Sequence, residues 1–268
     1  MDSLIAILLH FVLPAAIGVF SLMLVLWLIG IKNDNYAIVD FGWAAGLALT
    51  ALIYAWVSHG YMPRNILFAT MATIWGLRLG LYLLLTRVIG KPEEGRYQQL
   101  RKEWGGNLKM KFLAFFEFQA LLDLFLSIPF LAAALNSRPE ISPLEWAGVG
   151  LWIVAMSGEA TADAQLNQFK KDPANKGKTC RAGLWNYSRH PNYFFEWLIW
   201  MAWFTFALGS PHGWVSILCP AVMLYFLFKV TGIPATEAQA LRSRGEDYRR
   251  YQETTSAFVP WFKKKPGS

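Results

Sequence analysis

The chain has 268 residues, 55% hydrophobic and 16% charged, far below the roughly one quarter of charged residues usual in a soluble domain. Together with a mean hydropathy of +0.31, this excludes an ordinary soluble enzyme and points to an integral membrane protein. The formal net charge of +7 is spread over loops between apolar runs, so it speaks of membrane orientation and not of a nucleic-acid partner.

Seven stretches reach or approach the roughly 20 apolar residues that cross a bilayer: 4–30, 36–58, 65–86, 112–135, 143–164, 191–209 and 213–231. The expected fold is all-α with seven transmembrane helices in one domain, 1–268. The first run is too long for a signal-peptide core and has Asp2 but no Lys or Arg in its flank, so it is read as a retained helix. Pro14, Pro129 and Pro220 lie inside apolar runs and are read as kinks. Lys and Arg cluster in connections of one side, at Arg87–Lys111, Lys170–Arg189 and Lys229–Lys265, while the connections that alternate with them offer only Arg64 and Arg138. The positive-inside rule then predicts a cytoplasmic C-terminus, and seven spans put the N-terminus outside. Cys180 and Cys219 are far apart, and the four His show no ligand spacing, so no disulfide or metal site is assigned.

In the N-terminal half, Asp40 interrupts the second apolar run and Arg78 the third, with Trp75 and Tyr82 on roughly the same helical face as Arg78. Two readings stand for Asp40: a buried hydrogen-bond or proton donor, or the partner of Arg78 in an ion pair. Helix four adds Glu117, Gln119 and Asp123, the last two at a spacing that lets them line one cavity.

The C-terminal half carries three polar segments. From Gly158 the fifth helix bears Glu159, Asp163, Asn167 and Lys170 at helical spacing, then breaks at Asp172 and Pro173 into a loop with Lys171, Lys176, Lys178 and Arg181. Such a loop suits a phosphate-bearing ligand, but positive-inside loops are basic in any case. The motif GLWNYSRHPNYFFEW, Gly183–Trp197, sets Tyr187, Arg189, His190, Asn192 and Glu196 against an apolar run. Pro191 marks a helix start whose free N–H groups favour an anion, and Asn192 and Glu196 share a face. The third segment, 232–262, is predicted as a short surface helix capped by Thr236 and carrying Glu237, Arg242, Arg244 and Tyr248. Beyond it, Phe258, Val259, Trp261 and Phe262 are expected to anchor in the interface, and Lys263, Lys264 and Lys265 suit anionic lipid.

GLWNYSRHPNYFFEW and GIPATEAQALRSRGEDYRRYQETTSAFVPWF, with VDFGW, WGLRL and GRYQQLRKEWG, resemble the bacterial branch of the membrane steroid 5-alpha-reductase superfamily. The resemblance covers most of the chain. It implies a seven-helix protein of the bacterial inner membrane in which NADPH, entering from the cytoplasm, reduces a carbon–carbon double bond of a hydrophobic, lipid-like enone. It divides the domain into substrate-side helices, 1–135, and a nucleotide-binding half, 143–268. Carried over by position, the cofactor residues are Asp163, Tyr187, Asn192 and Glu196, joined by Arg181, Arg189, His190, Arg242, Arg244 and Tyr248. The acidic residue that polarises the enone falls on or near Asp40, with Trp75, Arg78 and Tyr82 around it. The chain departs from the steroid reductases where their helix-three Tyr is replaced by Trp75 and where Glu159 stands for an Asn, so the resemblance does not specify a steroid. RHPNY with a downstream Glu and a basic, Tyr-containing tail is also similar to isoprenylcysteine and phospholipid methyltransferases, which use S-adenosylmethionine. A non-enzymatic lipid-binding protein of the same fold is a third reading. No oligomeric state is assigned.

Overall fold

The computed structural model describes residues 2–230 and 232–263; Lys264 and Lys265 of the basic tail lie outside them. The described residues are helical throughout, without strands. In chain order the elements are α1 (Leu4–Lys32), α2 (Ile38–Val57), α3 (Met62–Val88), α4 (Gly95–Trp104), α5 (Leu108–Leu126), α6 (Ile128–Ala134), α7 (Pro143–Lys171), α8 (Pro191–Ala207), α9 (Leu218–Tyr225), α10 (Ile233–Arg244) and α11 (Glu246–Thr254). Among them, four runs are long and apolar enough to cross a membrane, namely α1, α2, α3 and Gly213–Arg244. A fifth is reached if α5 and α6, bent by 44° at their junction, count as one. Helices also stand where the other two spans are expected, but neither meets that standard. α7 carries Glu145, Glu159 and Asp163 among its apolar residues, and α8 has only 17 residues, about 26 Å at 1.5 Å per residue.

The three internal prolines sit where the hydrogen-bond ladder changes type. Pro14 follows a π-turn at Leu8–Val12, Pro129 follows the bend at Ser127, and Pro220 lies just beyond a 3₁₀ turn at Gly213–Ile217. Proline has no N–H to give and crowds the carbonyl four residues back, so the ladder re-registers there and the helix bends without ending.

By contacts the chain forms two compact units, 1–142 with 209–213, and 143–208 with 214–268. In the first, small residues let α2 and α3 pack backbone to backbone. A Cβ on Gly76 would lie 2.7 Å from the Ala44 carbonyl oxygen, and one on Gly80 would lie 3.1 Å from the Phe41 ring. α4 is tied to the start of α2 and to the connection before it by polar bonds: the Tyr97 hydroxyl donates to Asp40 Oδ1 at 2.6 Å, and Arg101 pairs with Asp34 at 2.8 Å and with Glu93, just ahead of α4, at 2.6 Å. Glu93 in turn accepts from the Tyr36 amide at 2.7 Å. Arg64, fully buried, donates to the carbonyls of Asn136 and Arg138 at 2.9 Å and to that of Glu140.

In the second unit α7 and α8 are antiparallel and close. Gly148 lies under the Phe206 backbone, and Gly158 lies under the Phe195 ring at a place where a Cβ would come within 2.3 Å. This register carries α7 past the end of α8, and the Trp185 indole donates to the Ala162 carbonyl at 2.9 Å.

Candidate functional site

The first turn of α8 is held from behind by the end of the chain. Ser188, fully buried, donates to the Phe258 carbonyl at 2.7 Å and accepts from the His190 amide at 3.1 Å. The Arg189 amide donates to Ser256, the Trp261 amide to Tyr187, and the Tyr251 hydroxyl to the carbonyls of Ser188 and Trp185. Phe258 is buried against Phe194, Trp197 and Phe228, so it is core and not an interfacial anchor. Val259, Trp261 and Phe262 are the exposed apolar residues of this segment.

Glu237 is the hub of the assembly. Its Oε1 accepts from Arg189 Nε at 2.7 Å and lies 3.2 Å from His190 Nε2, while its Oε2 accepts from Gln252 at 2.7 Å. Arg189 spends its remaining reach on the carbonyls of Gln252 and Thr255, at 2.9 and 2.7 Å. The surface helix expected to start at Thr236 is instead two helices. Gly232 stands before the first, and Gly245, at φ +53°, separates α10 from α11. That break turns Tyr248 back towards Glu237, 3.5 Å from its Oε1. Burial, with the adjacent Glu237 charge, pushes the Tyr248 phenol up to about 12, so it remains a donor across the physiological range.

The expected cofactor residues therefore divide. Arg189, His190 and Tyr248 are committed to Glu237, and Arg181 pairs with Asp247 at 2.8 Å; these four are positioned by protein partners that the sequence reading did not supply. Tyr187 and Arg242 are exposed. Asp163 and Glu196 are buried and Asn192 is partly so, and the register of α7 on α8 sets Glu159 and Asp163 at the level of the α8 turn carrying Asn192 and Glu196. Glu196 Oε1 accepts from the Trp200 indole at 3.0 Å. Glu237, Ser188 and Tyr251 stand in the polar segments read from the sequence, but their joint role in holding the start of α8 was not foreseen. Their signal was the lone acid of α10 followed by Tyr248, Tyr251 and Gln252 at helical spacing.

Beside this assembly lies a cavity of about 290 Å³ lined by Lys170, Lys171, Lys176, Lys178, Cys180 and Arg244. Its one acid, Asp172, caps the Ala174 amide at 2.9 Å, and Lys171, Lys176 and Lys178 make no ion pair among the described residues. Burial pushes the Cys180 thiol up, opposed by the Ala182 backbone and by the charges of Arg244 and Lys170.

Asp247 fixes the loop to α11 by accepting from the Thr179 amide and from Arg181, both at 2.8 Å. Burial works to raise its pKa, but Thr179, Arg181 and Arg244 outweigh it, and the net effect is a lowering. A depressed carboxyl contributes stability that is fully present above the ordinary aspartate range near ~4 and is lost as pH falls through its folded value. Thermal melts in detergent should fall in that acid window for the native protein and flatten for Asp247→Asn; identical acid profiles would remove Asp247 from the account.

In the first unit, the partner expected for Asp40 is corrected. Asp40 binds Tyr97, and its ion-pair partner is Arg87 at 3.5 Å, not Arg78. It is half-buried in the first turn of α2, its side chain 21% exposed. Trp75 is fully buried edge-on to Trp43, with ring centroids 5.6 Å apart. The packing of Gly80 on Phe41 lays the turn of α3 carrying Arg78 and Tyr82 along the start of α2.

A family model described as a protein of unknown function, DUF1295, matches residues 26–255. The chain belongs to the DUF1295 family. No curated protein and no solved structure gives a significant match. The DUF1295 match takes in all of α2 to α11 and the docked loop that follows α7, so both the Glu237 assembly and the basic cavity fall within it.

Proposed function

We propose that this DUF1295 protein is an NADPH-dependent membrane reductase acting on a carbon–carbon double bond of a lipid or steroid-like enone. On this reading it has seven spans in the bacterial inner membrane, the N-terminus outside and the C-terminus cytoplasmic, with α7 and α8 crossing as a closely packed pair. The observation that carries the proposal is that two buried acids and a partly buried amide, Asp163, Glu196 and Asn192, stand at one level beside a cavity rimmed by Lys171, Lys176, Lys178 and Arg244. Acids and amides in that position suit the hydroxyl and carboxamide groups of a dinucleotide, and the cavity suits its phosphomonoester. NADPH, when bound, supplies the hydride. The chain's own residues bind and orient: Lys176, Lys178 and Arg244 offer charge-assisted bonds to phosphate oxygens, and Glu237 holds Arg189 and His190 so that the α8 N-terminus stays open to an anion.

The test is spectroscopic titration of purified protein with NADPH, NADH and S-adenosylmethionine. One additional charged hydrogen bond is worth about 1.5–3 kcal/mol, so NADPH should bind roughly 10- to 150-fold more tightly than NADH. The triple variant Lys176→Ala, Lys178→Ala, Arg244→Ala should erase that preference and leave NADH affinity in place. S-adenosylmethionine binding without dinucleotide binding would make the protein a methyltransferase, and binding of none of the three would leave a lipid-binding protein.

A further inference from the structure

Near the middle of α2, Gly46 faces Asp123 of α5 so closely that a Cβ there would lie 2.0 Å from Asp123 Oδ2; Val19 of α1 is the next neighbour. Asp123 is fully buried, and neither of its carboxyl oxygens has a hydrogen-bond partner among the described residues. The hydroxyls along the same row are committed elsewhere. Thr50 donates to the Gly46 carbonyl at 2.8 Å and Ser127 to the Leu124 carbonyl at 2.7 Å, while Tyr54, 3.2 Å from Ser127 Oγ, donates to it. A buried carboxyl left without partners costs several kcal/mol. A helix that carries one against a glycine is not built for stability alone.

We infer that Asp123 is the group that receives the polar end of the lipid ligand within the membrane, binding a carbonyl or hydroxyl oxygen from the first unit. This rests on the reading of the protein as acting on a lipid-like substrate, and it moves the intramembrane acid from Asp40, which Tyr97 and Arg87 already occupy, to Asp123. A carboxylic acid suits either oxygen, since its O–H donates to a carbonyl and its C=O accepts from a hydroxyl.

The test combines stability with chemical labelling and needs no cofactor. Asp123→Leu should melt no lower than the native protein, because it removes a group that no donor among the described residues meets, and Asp123→Asn, which keeps a polar group of the same shape and breaks no existing bond, should not melt below it either. Dicyclohexylcarbodiimide, a lipid-soluble reagent for carboxylic acids, should label Asp123 in detergent, as read by peptide mass. A total lipid extract of the producing cells, added in mixed micelles, should slow that labelling several-fold, whereas hexadecane should not. Variants that unfold, absence of label at Asp123, or labelling that the extract does not slow would each overturn the inference. NADPH titration of the same preparations separates the two readings: failure to bind dinucleotide sinks the reductase while leaving lipid protection of Asp123 intact, and loss of protection with NADPH still bound sinks only the role of Asp123.

Discussion

Glu237→Leu is expected to cost about 3–5 kcal/mol of stability, the scale for removing one partner of a buried ion pair. Its carboxylate gathers Arg189, His190 and Gln252 within 3.2 Å, and the side chains of Arg189, His190 and Glu237 are only 11%, 3% and 15% exposed. Leu would strand the Arg189 guanidinium against the carbonyls of Gln252 and Thr255, which it also bridges, and so loosen the C-terminal segment from the start of α8. Glu237→Gln should lie between, since an amide oxygen still accepts from Arg189 but brings no charge. Arg189→Leu combined with Glu237→Leu should recover part of the loss, because the stranded charge is then gone. Denaturation in detergent, followed by Trp fluorescence, reads all three. A Glu237→Leu protein as stable as the native one would show that the hub does not hold the site.

Glu196→Gln should leave the melt unchanged and weaken dinucleotide binding by roughly 10- to 150-fold, the span of one hydrogen bond to a charged group. Glu196 Oε1 accepts from the indole N–H of Trp200 at 3.0 Å, and a glutamine carbonyl can accept that bond as well as a carboxylate. A role confined to Trp200 therefore predicts native affinity in the Gln variant and a lowered melt for Glu196→Ala. Asn192→Ala, one turn earlier and partly exposed, should weaken binding with little effect on stability. The comparison of Gln with Ala at 196 separates charge from packing: native affinity in Glu196→Gln would take the carboxylate out of the ligand site.

The linear order of residues sufficed for the features that depend on neighbours along the chain. The apolar runs mark the long helices, because helical hydrogen bonds are local and a run either can or cannot stay helical in lipid. Asp172 and Pro173 end α7 and Pro191 begins α8, again through geometry confined to one or two residues. Two local expectations failed where the backbone departs from regular helix: Thr236 is not the cap of α10, and Gly245 divides one expected helix into two. Partnership across the fold was not legible. The sequence offers Arg78 as the charge to meet Asp40, yet Asp40 pairs with Arg87 and Tyr97, 47 and 57 residues away. Arg189 and His190 read as free cationic groups beside an anion site, and only the return of α10 and α11 shows that Glu237 occupies them. Asp123 read as one of several polar residues on α5; its isolation emerged when Gly46 of α2 closed over it and Thr50, Ser127 and Tyr54 turned their hydroxyls elsewhere. Helices follow from local covalent and apolar patterning, whereas which charges meet depends on helix register, and that is set by glycine contacts such as Gly76 on Ala44 and Gly158 on Phe195, between residues that no spacing rule connects.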